Sequence, residues 1–186
     1  MLTKRLITAV VLLPIVVFGT LLLDEMLFRI ILSLVIAIAG WEYCSLISIK
    51  QPAFRLLYVF ALTIIAFIIT YTSAWLMPII IASSAWWLLN TYWVSCYPKF
   101  TNLWHGGHGV RLLNGLFTFV PMFVALAALQ KNNSELVLLL LALIWSADSG
   151  AYFAGKTFGS NKLCPRVSPG KTIEGMIGGT VASIAA

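Results

Sequence analysis

The 186-residue chain is 61% hydrophobic and only 10% charged, with a mean hydropathy of +0.98. Too few polar groups are present to cover a globular surface, which excludes an ordinary soluble domain and makes lipid the solvent over much of the area. The net charge of +6 comes without any basic run, so it reads as the loop cations of a membrane protein and not as a nucleic-acid surface. Three cysteines, Cys44, Cys96 and Cys164, have no paired spacing and an odd count, which argues against a disulfide framework.

In chain order, apolar stretches fall at about Leu6–Leu23, Leu27–Ile47, Leu56–Thr72, Trp75–Val94, Leu112–Leu129 and Leu136–Phe153. A seventh begins near Thr172 and is still apolar at Ala186. Each complete stretch can cross a ~30 Å hydrocarbon layer as a helix, the conformation that satisfies its own backbone there. The expected fold is therefore an all-α, polytopic integral membrane bundle of six complete transmembrane helices and a truncated seventh, forming a single domain over residues 1–186. The first stretch follows Lys4 and Arg5 without a small-residue cleavage site, and is read as a retained span and not a signal peptide.

Loop charges set the expected orientation. With the N-terminus cytoplasmic, Lys4, Arg5, Lys50, Arg55, Lys99, Arg111, Lys156, Lys162, Arg166 and Lys171 lie inside, and only Arg29 and Lys131 lie outside. Ten against two is the asymmetry that cytoplasmic loops carry. Trp41, Trp75, Trp93, Trp104 and Tyr97 stand near span ends, as interfacial aromatics do. The polar break Tyr97–Arg111 holds His105-Gly-Gly-His108, which has no carboxylate or cysteine beside it and reads as a loop with incidental histidines.

Three acidic residues lie away from the outer loops: Glu42, Asp148 and Glu174. Glu42, near the cytoplasmic end of the second span, serves equally as a snorkelling end residue or a functional one. Asp148 sits in Trp145-Ser-Ala-Asp-Ser-Gly-Ala-Tyr152-Phe, beside a stripe of Ala147, Ala151 and Gly155 spaced by four. Such small stripes let membrane helices approach closely, and a carboxylate held there can take a divalent cation or a proton. Gly175, Gly179 and Ser183 repeat the spacing, so the sixth and seventh spans are expected to pack against each other. Between them, Ser168-Pro169 reads as an N-cap followed by proline at the first helical position. That would set Lys171 and Thr172 in the first turn of a helix whose free N–H groups suit a phosphate. Gly170-Lys171-Thr172 is not a P-loop tail, since the required earlier glycine is Pro165. With Lys156, Lys162 and Arg166 nearby, residues 145–179 form the expected cytoplasmic phosphate and metal region.

From Trp145 to Gly159, then Lys162-Leu, then Ser168-Pro-Gly-Lys-Thr-Ile-Glu-Gly175 with Gly178-Gly179, the chain resembles the central motifs of the phosphatidate cytidylyltransferase (CDP-diacylglycerol synthase) family. The resemblance is dense over roughly Trp145–Gly179; before that it rests on the span pattern, the Lys4-Arg5 start and Trp41-Glu-Tyr43. It implies transfer of a cytidylyl group from CTP to phosphatidic acid with Mg²⁺, giving CDP-diacylglycerol and pyrophosphate, at the cytoplasmic face of a bacterial inner membrane. It also implies Asp148 as metal-binding and catalytic, with Lys171 and Glu174 as further catalytic candidates. Lys156, Lys162, Arg166, Ser168 and Thr172 are then the substrate-binding candidates. The family's later segment, Lys/Asp-rich and followed by His-Gly-Gly and Asp-Arg, is absent here. The chain is therefore expected to be an N-terminal fragment or one part of a split enzyme, inactive alone, with a homodimer or a second chain as the source of the missing part. The alternatives are an ion-coupled transporter subunit, in which Asp148 is an intramembrane ion site, and a noncatalytic membrane partner or remnant.

Overall fold

A computed structural model describes residues 2–102 and 107–186. His105 and Trp104 lie outside these residues, while His108 opens a helix. Every apolar stretch becomes a helix: α1 (Leu2–Leu22), α2 (Glu25–Leu46), α3 (Pro52–Ile69), α4 (Leu76–Ser95), α5 (His108–Asn132), α6 (Ser134–Phe158) and α7 (Ile173–Ala185). A single turn of 3₁₀ helix, Ser73–Trp75, leads into α4. Among the described residues, four helices, α2, α3, α5 and α6, are long and apolar enough to cross a membrane. In α4 the length is sufficient, but Ser83, Ser84, Asn90 and Thr91 dilute the apolar run. Side chains such as Leu34, Ile38, Phe60 and Leu88 are exposed on the helix surfaces, as residues that face lipid are.

The chain divides into two compact units, Met1–Asn90 with Thr101–Glu135, and Thr91–Phe100 with Leu136–Ala186. In the first, α2 buries Leu32, Ile36, Gly40 and Cys44, one residue each turn and therefore one face. That face meets Leu62 and Ala66 of α3, and Phe119, Phe123 and Ala127 of α5, in a continuous core. Helix starts follow local chemistry. The Asp24 carboxylate accepts the Leu27 N–H at 2.8 Å, and Pro52 takes the first position of α3, where no N–H is needed.

Pro121 stands inside α5 and cannot donate to the carbonyl of Phe117 one turn earlier. Two side chains of α4 donate to that oxygen instead, the Ser83 hydroxyl at 2.9 Å and the Trp87 indole at 3.3 Å. The adjacent Trp86 stacks on Phe117 and donates to Asn114 Oδ1 at 2.7 Å. A proline that breaks the hydrogen-bond ladder thus becomes the point where α4 is fastened to α5. At the other end of α5, the Tyr43 and Tyr58 hydroxyls donate to the carbonyls of Arg111 and Leu112, at 2.5 and 2.7 Å. Both rings crowd the space a side chain at Gly115 would need.

The second unit holds the region that the sequence singled out, and here one local expectation is corrected. Ser168-Pro169 does not start a helix. Ser168–Thr172 is a strand, β2, paired antiparallel with β1 (Lys162–Cys164), with Lys162 opposite Thr172 and Cys164 opposite Ser168. Proline is compatible with an edge strand as well as with a first helical turn, and a two-stranded ribbon consists only of edges. The N-cap lies four residues later, at Thr172, whose Oγ1 accepts the Gly175 N–H at 3.2 Å.

Candidate functional site

The second unit is built on contact between α6 and α7 through residues with little or no side chain. A Cβ added at Gly179 would lie 2.8 Å from the carbonyl oxygen of Ala147 and 3.1 Å from Ala151 Cβ. One added at Gly175 would lie 3.0 Å from the Ala151 carbonyl oxygen. The expected stripes Ala147-Ala151-Gly155 and Gly175-Gly179 therefore face each other. A second row that the sequence reading passed over lies alongside: Gly150 and Ala154 of α6 against Gly178 and Ala182 of α7. Its signal was the same interval of four residues.

Close approach of the two backbones brings the end of α6 beside β2 and the start of α7. Gly155 lies against Thr172, where an added Cβ would stand 3.2 Å from the hydroxyl oxygen. A cavity of about 370 Å³ opens there, lined by residues that include Asp148, Tyr152, Lys156, Ser168, Lys171 and Thr172. Five sequence candidates thus share one cavity: Asp148, Lys156, Ser168, Lys171 and Thr172. Asp148 is exposed, Thr172 is 6% exposed, and the ammonium of Lys156 stands 5.6 Å above the Tyr152 ring. Tyr152, which the sequence pattern does not mark for chemistry, both lines the cavity and holds Lys156.

The remaining candidates lie outside this lining. Lys162 is on β1 and exposed, and Arg166 is exposed in the turn between the strands. Glu174 is occupied elsewhere. Its carboxylate accepts the Ser160 N–H at 3.2 Å, the Asn161 N–H at 3.1 Å and the Asn161 side-chain amide at 2.7 Å. These bonds close the link after α6 onto the polar first turn of α7. Glu174's own backbone N–H, then the Asn161 and Ser160 donors, hold its carboxyl below the usual carboxylate range. Glu42 is exposed on α2 and belongs to the first unit.

Among the described residues no three of His, Cys, Asp and Glu gather as a metal cage. The cavity instead presents one carboxylate opposite cations. Mg²⁺ characteristically keeps several waters and uses one or two carboxylates together with substrate phosphates, so this donor set fits that mode. The α7 terminus adds N–H groups and the positive end of its dipole.

A helical membrane protein that gathers two lysines, a hydroxyl N-cap and one carboxylate in a cavity at helix ends belongs to the class suited to phosphate esters. The chain is a member of the cytidylyltransferase family, whose model matches residues 3–186. It is 36% identical over 181 residues to the phosphatidate cytidylyltransferase of Pseudomonas aeruginosa, covering 96% of this chain and 66% of that protein. It is 31% identical over 203 residues to the Haemophilus influenzae protein of the same name, covering 99% and 70%. A Bacillus subtilis relative, also a phosphatidate cytidylyltransferase, is 42% identical over 62 residues, 33% of this chain and 23% of that one. The chain thus spans about two thirds of the length of the first two. Nothing among these relatives supports the transporter alternative.

Proposed function

We propose that this chain carries the phosphate-handling cavity of a phosphatidate cytidylyltransferase, which transfers a cytidylyl group from CTP to phosphatidic acid. The single observation that carries the reading is the convergence of Asp148, Lys156, Lys171 and Thr172 on one cavity in a chain of this family. A phosphate oxygen of the lipid attacks the α-phosphorus of CTP. The new P–O bond replaces the bond from that phosphorus to the bridging oxygen, and pyrophosphate leaves. Little covalent work falls to the protein in such a transfer; positioning and neutralisation of charge dominate.

In that reaction Lys156 and Lys171 neutralise phosphate oxygens, and the start of α7 offers N–H groups to them. Thr172 fixes that terminus by its cap. Asp148 would hold Mg²⁺ directly or through water, and the ion would supply Lewis-acid stabilisation of the phosphate charge. Glu174 keeps the α6–β1 link closed, which positions Lys171 one residue before the N-cap. Lys162 and Arg166 supply a wider positive field around the mouth. The N-terminus is cytoplasmic, α1 to α6 cross the membrane, and α7 begins a seventh crossing beyond its polar first turn. The cavity then faces the cytoplasm, where CTP is found. The topology is supported by the loop charges and by the first unit, which gathers the start of α2 and the ends of α3 and α5 at one end.

The direct test is Mg²⁺-dependent CTP binding by the purified chain in maltoside micelles, measured by isothermal titration. Binding is expected, with a loss of about tenfold or more in Lys171→Ala, the order expected when a charge-assisted phosphate contact is removed. Wild-type protein that fails to bind CTP, or a Lys171→Ala variant that binds equally well, would refute the assignment.

A further inference from the structure

We infer a second phosphate-binding site in the first unit, at the end where α2 begins and α3 and α5 finish. It is independent of the cytidylyl-transfer reading. Two cavities there, of about 260 and 330 Å³, share Arg29, Thr70, Tyr71 and Lys131 in their linings. Arg29 is 6% exposed. Its guanidinium lies 5.1 Å from the centre of the Tyr71 ring and one Nη pairs with Glu25. Its Nε–H, also buried, has no acceptor among the described residues.

A buried, charged donor without an acceptor is a costly arrangement that proteins rarely keep without a ligand or water to complete it. Glu25 does not complete it. That carboxylate is shared between Arg29 and Lys131, whose ammonium stands 3.5 Å away, so two cations face one anion. The cluster keeps a positive charge in excess, beside cavities further lined by Thr70, Tyr71 and, in one of them, Asn132. The Thr70 hydroxyl donates to the Phe67 carbonyl at 2.6 Å, so the match to a phosphate anion rests on the guanidinium and the ammonium. Arg29 and Lys131 are also the two cations that the loop-charge count leaves on the side opposite the other ten. The phosphate can arrive on a lipid headgroup or as the free ion.

Backbone hydrogen exchange of the full chain in phosphate-free maltoside micelles distinguishes these sources. It would be followed over Ile69–Thr72 and Ala128–Asn132 after adding either inorganic phosphate or short-chain phosphatidylglycerol. Protection of both segments by the lipid alone supports the site with a headgroup as ligand. Protection by inorganic phosphate at similar concentration supports it with the free ion as ligand. In either case Lys131→Gln, at an exposed position, is expected to weaken the effect about tenfold, as is Arg29→Gln. No protection by either compound, or protection unchanged in Lys131→Gln, overturns the proposal. Because these segments lie in the other unit from Lys171, failure here leaves the CTP-binding result standing.

Discussion

Replacing Gly179 by valine tests whether contact between α6 and α7 is what builds the cavity. The added Cβ would lie 2.8 Å from the Ala147 carbonyl oxygen and 3.1 Å from Ala151 Cβ, and the first of these is backbone that cannot rotate away. The helices must therefore separate by several tenths of an ångström at Cβ alone, and further for the two γ-methyls. Overpacking of this kind costs about 1–3 kcal/mol, and valine recovers only a few tenths of that through better helix propensity than glycine. In lipid, no hydrophobic force compensates for lost contact, since tails solvate the exposed faces as well as another helix does. A net loss of about 1–3 kcal/mol corresponds to a fall in Tm of at least roughly 2–4 °C for a chain of this size. The assay is thermal unfolding in maltoside followed by intrinsic fluorescence, with CTP binding measured alongside, because the same displacement moves Gly175 and Thr172 away from Gly155. Gly170→Ala is the matched control: a Cβ there meets nothing within 4 Å and the backbone is not at positive φ, so it should be neutral or slightly stabilising. A Gly179→Val protein that melts with wild type and binds CTP equally would show that the two helices do not depend on this contact.

The remaining predictions address the local devices. Ser83→Ala removes one of the two α4 donors on the Phe117 carbonyl, and should cost about 0.6 kcal/mol, the average for such bonds between membrane helices. In a Pro121→Ala background that carbonyl regains a partner within α5, so the cost of Ser83→Ala should shrink; equal costs in both backgrounds would dismiss the compensation. Thr172→Ala should destabilise by about 1 kcal/mol through loss of the cap on Gly175, whereas Ser168→Ala should have little effect on helix stability. The reverse order would restore the helix start to Ser168. For Glu174 the folded-state pKa is lowered, so its contribution is present above the ordinary value of 4.5 and is lost as pH falls through the folded value. Unfolding of wild type and Glu174→Gln followed on the acid side of pH 4.5 should converge as pH falls. Curves that stay parallel would mean that the carboxylate does not hold the link.

The helices were legible because each apolar stretch is bounded by charges or turn residues, and the α6–α7 contact was legible because glycine and alanine recur every four residues. Ser168-Pro169 misled for a definite physical reason. The side-chain oxygen of serine and the fixed φ of proline suit a helix start, yet they suit an extended edge strand equally, and only pairing with Lys162–Cys164 selects between them. The true cap was equally visible as Thr172-Ile-Glu-Gly175, but a local pattern carries no information about the partner strand. Glu174 was singled out, but the bonds its carboxylate makes were not legible. Its acidic character marked it for chemistry, while its bonds to Ser160 and Asn161 depend on a loop whose path the sequence does not disclose.

Moving the helix start from Ser168 to Thr172 also changes what Lys171 can do. Inside a first turn its side chain would lean back over its own helix terminus. As the last strand residue before the cap it instead lines the cavity opposite the end of α6, in company with Asp148 and Lys156. The ribbon spends Pro169, which has no N–H to donate, at a position where an exposed strand edge would otherwise invite pairing with another chain. Backbone contact between the two helices, the Thr172 cap and the Glu174 bonds to the link thus converge on the placement of one lysine. A variant that disturbs any of the three should therefore lower CTP affinity with Lys171 still present, and Lys171→Arg in the otherwise unchanged chain should retain part of the affinity that Lys171→Ala loses.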